Sequence, residues 1–217
     1  MTIAVINQST LVSDADVVRM TAAVDTQLYW HAAKAWNRSP LRMRFAGHQP
    51  VTSDEWQIAI LDTPDQAGVL GWHSEDAGRP HGVVFANPIL QHGGDACSTP
   101  LSVSSVLSHE ALETMFDWTA NLWADDGAGH LWSYEVCDPC ESDNYQITVG
   151  GVATTVSNFV LPAYFDAQAT GRVDWVGTCP GPFQLAHRGY AMTMNVSGQI
   201  TQVRGDHYDP NSAQLFG

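Results

Sequence analysis

The segment Ser108-His109-Glu110-Ala111-Leu112-Glu113 sets an imidazole and two carboxylates in the order H-E-x-x-E. On a helix, residues four apart lie on one face, so His109 and Glu113 can reach a common metal ion. A neutral imidazole nitrogen and a carboxylate oxygen are both ligands for Zn²⁺. Glu110, one residue on, stands where it can take a proton from a water that the ion has acidified. The competing reading is a solvated helix face, since so short a pattern also arises in ordinary amphipathic helices. The neighbours argue against it. The sequence around the motif is mostly apolar, and no lysine or arginine lies nearby to neutralise buried carboxylates.

A catalytic zinc site usually has a third protein ligand. Downstream, Glu135, Asp138 and Glu141 are spaced three apart and would share one face of a helical turn. The order of candidates is Asp138, Glu135, His73 and Asp117, with His130 as a competing imidazole. The predicted metal set is therefore His109, Glu113, Asp138 and Glu135, with Glu110 as general base. A solvated acidic turn is the plain alternative for Glu135 to Glu141. Oxygen-only binding of Ca²⁺ by Asp117, Glu135, Asp138 and Glu141, as structure rather than chemistry, is another.

The charge distribution points the same way. The chain has 217 residues, 23 Asp plus Glu and 9 Lys plus Arg, for a formal charge of −14. Between Arg79 and Arg172 there is no Lys or Arg, yet eleven of the acids lie there. Such a chain has no electrostatic footprint for a phosphate backbone, which argues against nucleic acid as a partner. It has no polybasic segment to hold an anionic membrane and no apolar run long enough to span one. An apolar fraction of 44% with 8 Trp, 7 Phe and 6 Tyr is ample for a buried core.

The elements that must position these residues read as α+β. Ile3 to Ile6 suits a buried strand. Ser13 caps a helix that runs to about Trp36, with Val17, Met20, Val24, Leu28 and Ala32 facing inward. Strands are expected at Leu41 to Phe45, Trp56 to Leu61, Gly68 to Trp72 and Gly82 to Ala86, the last two separated by a polar loop from His73 to His81. The motif helix is expected from Ser102 to Leu122, ended by Asp125 to Gly129. Hairpins are expected around Gly150-Gly151 and Ser197-Gly198. Asn158 to Phe165 reads as packed irregular structure, and the tail after Gly205 as polar and ordered only by docking.

Cys137 and Cys140 form a C-x-x-C, but Cys97 and Cys179 do not supply the second pair of a four-cysteine zinc site. Buried free thiols are the preferred reading, with a local Cys137–Cys140 disulfide as the alternative. Met1 to Thr10 has neither a basic region nor a useful apolar stretch, so no signal peptide is expected.

The strand–helix–strands–motif-helix order with His109-Glu110-x-x-Glu113 resembles the zincin metallopeptidases, where H-E-x-x-H plays the corresponding part. A closer resemblance is to a group of largely uncharacterised bacterial and phage-encoded proteins. It is carried by Ile3 to Thr10, Gly71-Trp72-His73, Gly82-Val83-Val84-Phe85, Ser108 to Glu113 with Asp117, Tyr134 to Asp138 with Glu141, Val156 to Phe165 and Arg188-Gly189-Tyr190. The resemblance implies one metallopeptidase-like domain over residues 1–217. A small mixed sheet would pack on an N-terminal helix and a central metal-site helix in residues 1–123, with a loop- and hairpin-rich lower half in residues 124–217. Glu113 in place of the second histidine is a departure from the main zincin pattern, and a carboxylate-rich site can favour another divalent ion. Tyr134, His187, Arg188 and Tyr190 are candidate donors to a developing oxyanion, and Gly68 to Trp72 is a candidate edge strand for an extended substrate. The expected function is a zinc-dependent hydrolase acting on a peptide or protein. The alternative is a non-catalytic phage virion or other structural component, bound to other virion proteins and possibly Ca²⁺-stabilised. The expected location is the cytoplasm or a phage particle.

Overall fold

The computed structural model describes residues 1–51, 54–64 and 68–205. The chain is mixed α+β. Its first sheet has five strands in the order β2-β1-β3-β5-β4, namely β1 (Thr2–Asn7), β2 (Arg42–Phe45), β3 (Trp56–Leu61), β4 (Gly71–Asp76) and β5 (Arg79–Phe85). β1 pairs in parallel with β2 and β3, β3 in parallel with β5, and β4 antiparallel with β5. The central strand β1 is buried from Ile3 to Asn7, with Ile3, Ala4 and Val5 showing no exposure at all, whereas β3 and β5 alternate buried residues such as Ile58, Ile60 and Val84 with half-buried ones.

Two helices support this sheet. Helix α1 (Asp14–Thr26) starts at Ser13, whose hydroxyl accepts from the Asp16 N–H. It continues through a π-helical stretch, Gln27–Ala32, into a last turn, α2 (Ala33–Ala35). The inward stripe of Val17, Met20, Val24, Leu28 and Ala32 is fully buried. After a short helix α3 (Ala86–Gln91), helix α4 (Val103–Phe116) carries the motif. Ser102 and Ser105 form a reciprocal capping box at its start. Every residue of α4 is buried. The helix contacts β4, β5, α1 and β9.

The second half is hairpin-rich. β6 (Trp123–Asp125), β7 (His130–Ser133), β10 (Tyr190–Asn195) and β11 (Ile200–Arg204) form a four-stranded antiparallel sheet in the order β11-β10-β7-β6. β8 (Asn144–Val149) and β9 (Val152–Ser157) form the hairpin around Gly150-Gly151. Short 3₁₀ turns occur at Asp138–Cys140 and Pro162–Phe165. All four cysteines are free and buried.

Three expectations need correction. The expected loop from His73 to His81 is instead most of a tight hairpin, in which Asp76 pairs with Arg79. Ala77 and Gly78 both have positive φ, +50° and +78°, which is the backbone of a two-residue type I′ turn. The polar composition of β4 belongs to an edge strand, where side chains are half-wet. The strand expected at Gly68 to Trp72 accordingly begins only at Gly71, and residues 65–67 just before it lie outside the described residues. Second, α4 stops at Phe116 rather than at Leu122. Asp117 turns its carboxylate onto the Leu122 N–H at 2.7 Å and the Thr119 hydroxyl at 3.1 Å, so a side chain replaces the next helical turn. Leu122, expected on the apolar face, is 45% exposed. Third, Asp125 to Gly129 turns β6 into β7 instead of ending the helix. The expected tail after Gly205 lies outside the described residues.

Candidate metal centre

α4 is held in rotation by a polar tie that seats the motif. The Ser108 hydroxyl donates to Gln27 Oε1 at 2.6 Å and accepts from the Ser157 N–H at 3.0 Å. Gln27 Nε2 donates to the Ser157 carbonyl at 2.8 Å. All three residues are buried, so the π-helical turn, α4 and β9 are locked together just before His109.

The opposite face of α4 meets β4. A cleft of about 160 Å³ is lined there by Gly71, Trp72, His73, His109, Glu110, Glu113, Ala120, Glu135, Asp138 and Tyr190. Two imidazoles and four carboxylates thus share one small space, and none of the lining residues is Lys or Arg. His109 Nε2 lies 3.2 Å from Glu113 Oε2 and 3.3 Å from Asp138 Oδ1. His73 Nδ1 lies 3.5 Å from Glu110 Oε2 and 3.6 Å from Glu113 Oε2, while its Nε2 lies 3.8 Å from Glu135 Oε2. His73 Nε2 also donates to the Asp117 carbonyl at 3.2 Å, so the end of α4 buttresses the edge-strand histidine.

Burial and charge shift these groups strongly. Burial alone lowers the His73 pKa, but Glu110, Glu135 and Glu113 together outweigh it and raise it to about 10. His109 is raised well above its ordinary value despite full burial, chiefly by Glu113. Asp138 is pushed up to about 6 by burial and by Glu113, against the pull of His109 and Tyr190. Glu135 and Glu141 rise well above the carboxylate range for the same two reasons, burial and neighbouring acids. Without a cation, the cluster balances its charge with protons.

The donor chemistry fits a divalent ion. Of the residues that line the cleft, Glu135 and Asp138 each have an oxygen, Oε2 and Oδ1, that is sealed from solvent without a hydrogen-bond partner, which is costly unless a cation serves it; Glu141 Oε1 is sealed likewise, but Glu141 does not line the cleft. The imidazole–carboxylate separations of 3.2 and 3.3 Å are longer than the ~2.7–2.9 Å of a charge-assisted hydrogen bond. Within 4.8 Å of one another lie single ligand atoms of His109, Glu113 and Cys137, and likewise of His73, Glu113 and Glu135. Cys137 is the poorer ligand. Burial pushes its thiol well up, its Sγ donates to the His109 carbonyl at 3.8 Å, and it does not line the cleft.

Each residue expected from the sequence can now be placed. His109, Glu110, Glu113, Asp138 and Glu135 all line the cleft, and His73 joins them. Asp117 is buried but spends its carboxylate on the turn after α4. His130 is exposed at the start of β7 beside Asp126. Tyr134 stacks on Phe165 with ring centroids 4.2 Å apart, away from the lining. Tyr190 does line the cleft and hydrogen-bonds Asp138, whereas His187 and Arg188 do not line it. Sequence reasoning gave Gln27 no role and named Gly71 only within the expected strand and the Gly71-Trp72-His73 match, not as a close-packing position. A lone amide beside an apolar helix stripe and a glycine inside a strand were the available signals. A Cβ on Gly71 would lie 2.7 Å from Glu110 Oε1 and 2.9 Å from both Val106 Cγ1 and the Val83 carbonyl.

Comparison with protein-family models, curated proteins and solved structures gives no match for the chain. Among the described residues, no helix is long and apolar enough to cross a membrane.

Proposed function

We propose that this protein is a divalent-metal-dependent hydrolase with a zincin-like fold, acting on an extended peptide segment. The observation that carries the reading is the cleft between α4 and β4, where His109, Glu113 and Asp138 converge beside Glu110 with no Lys or Arg in the lining. The fold supports it. α1 packs on β1 and β2, α4 on β4 and β5, and the two helices touch, so both sit on one face of the mixed sheet. The antiparallel strand β4 borders the metal helix and pairs, among the described residues, only with β5. Its outer edge is suited to add an extended peptide strand.

Two imidazoles favour Zn²⁺ or a similar transition ion over Ca²⁺, which prefers oxygen ligands throughout. A bound divalent ion would polarise the scissile carbonyl and acidify the attacking water. The remaining work falls to the chain. Glu110 takes the proton of that water and delivers it to the leaving amine. β4 aligns the substrate backbone. Tyr190, whose phenol is held neutral by burial and by Asp138, keeps its proton for hydrogen bonding to Asp138.

Cleavage of a mixed peptide library by Zn²⁺-loaded protein tests the reading. Chelation should abolish cleavage, and Glu110→Gln should abolish it while the metal is retained. Metal-loaded protein that cleaves nothing, with Glu110→Gln indistinguishable from it, would favour a structural role in a larger assembly such as a virion.

A further inference from the structure

The donors of the cleft fall into two sets that share one carboxylate. Glu113 Oε2 lies 3.2 Å from His109 Nε2 on one side and 3.6 Å from His73 Nδ1 on the other. Asp138 extends the first set, with Oδ1 3.3 Å from His109 Nε2. Glu135 extends the second, with Oε2 3.8 Å from His73 Nε2. We propose that the cleft holds two divalent cations bridged by Glu113, one on His109 and Asp138 and the other on His73 and Glu135. This rests on the metal-hydrolase reading and extends it from one ion to two.

Three observations support it beyond the clustering of acids. Each set contains its own sealed oxygen without a hydrogen-bond partner, Asp138 Oδ1 in one and Glu135 Oε2 in the other. The Asp138 side chain is only 7% exposed and lines the cleft. The ligand atoms of His73, Glu113 and Glu135 lie within 4.8 Å of one another, and Glu113 also belongs to a second such group with His109 and Cys137. The charge count agrees. Glu110, Glu113, Glu135 and Asp138 bring four negative charges to the lining when ionised, with no Lys or Arg. A single divalent ion offsets half of that charge and leaves protons to balance the rest, whereas two ions offset all of it. Four carboxylates and two imidazoles are also the donor inventory of carboxylate-bridged dinuclear proteins on other folds, and paired ions serve hydrolases that must steady both attacking and leaving oxygens.

Metal counting decides this. Chelator-stripped protein dialysed against ZnCl₂, desalted and analysed by plasma mass spectrometry should hold two Zn per chain. His73→Ala should hold one. One Zn in the wild type overturns the paired site and leaves the one-ion hydrolase standing, and none overturns both. Two Zn in both proteins overturns the role given to His73. Should His73→Ala fail to fold, the wild type loaded to saturation with Mn²⁺ decides by electron paramagnetic resonance. Exchange-coupled ions are expected, and a signal of isolated ions only would overturn the pair.

Discussion

Gly71→Ala adds one methyl group where β4 meets the motif helix, and its consequence can be worked from three distances. The new Cβ would stand 2.7 Å from Glu110 Oε1 and 2.9 Å from Val106 Cγ1 and the Val83 carbonyl. The Glu110 carboxylate can swing away, but the Val83 carbonyl is backbone in the adjoining strand β5. So β4 must lift from α4, and His73 moves with it. Overpacking of this kind costs about 1–3 kcal/mol. For a chain of this size each kcal/mol shifts Tm by about 2–4 °C, so a fall of roughly 2–12 °C is expected in calorimetry of the metal-free protein. Metal affinity should fall as well, because Glu110 and His73 both leave their positions. Ser74→Ala, on the same strand but facing away from α4, serves as the control and should stay within about 0.5 kcal/mol of wild type. A Gly71→Ala protein with unchanged Tm and unchanged Zn²⁺ affinity would show that β4 is not packed against Glu110 as described.

Other outcomes follow from the same contacts. Ser108→Ala strips Gln27 Oε1 and the Ser157 N–H of a buried partner and should cost about 2–6 kcal/mol in urea unfolding, since each orphaned group carries about 1–3 kcal/mol. Metal-free protein should lose stability as pH rises from 6.5 to about 10. The fold raises the His73 pKa to about 10, so its protonated form contributes fully below the unfolded value and is lost through the folded one. The raised carboxylate Glu135 acts in the same direction, Asp138 loses its own contribution earlier, as pH rises to about 6, and saturating Zn²⁺ should flatten the dependence. Tyr190→Phe removes the phenol that hydrogen-bonds Asp138 and should weaken Zn²⁺ binding by about 10–100-fold in competitive titration, as loss of a ligand's supporting hydrogen bond typically does.

Much of the scaffold is legible in the sequence because its signals are local. Ser13 before an acid-rich turn and a stripe of apolar residues define α1, and Gly150-Gly151 between alternating runs defines the β8–β9 hairpin. His109, Glu110 and Glu113 are legible for the same reason, since helical spacing alone sets them side by side. What the sequence hides is non-local or carried by polar residues. β4 reads as a loop over His73 to Asp76 because an edge strand needs no apolar face, so the approach of His73 to Glu113 across 40 positions of chain is invisible. The stop of α4 at Phe116 depends on where the Asp117 carboxylate turns, and nothing in Trp118 to Leu122 breaks a helix by composition. Gln27 looks like surface until Ser108 and Ser157 are seen to close around it.

The central claim is that a divalent ion belongs in the cleft between α4 and β4. Anomalous diffraction at the zinc edge, from crystals grown with ZnCl₂, tests it most directly. The account predicts a peak in the cleft about 2.0–2.2 Å from His109 Nε2 and from a Glu113 carboxylate oxygen. Zinc found only at surface histidines such as His130, with no peak beside His109, would contradict it.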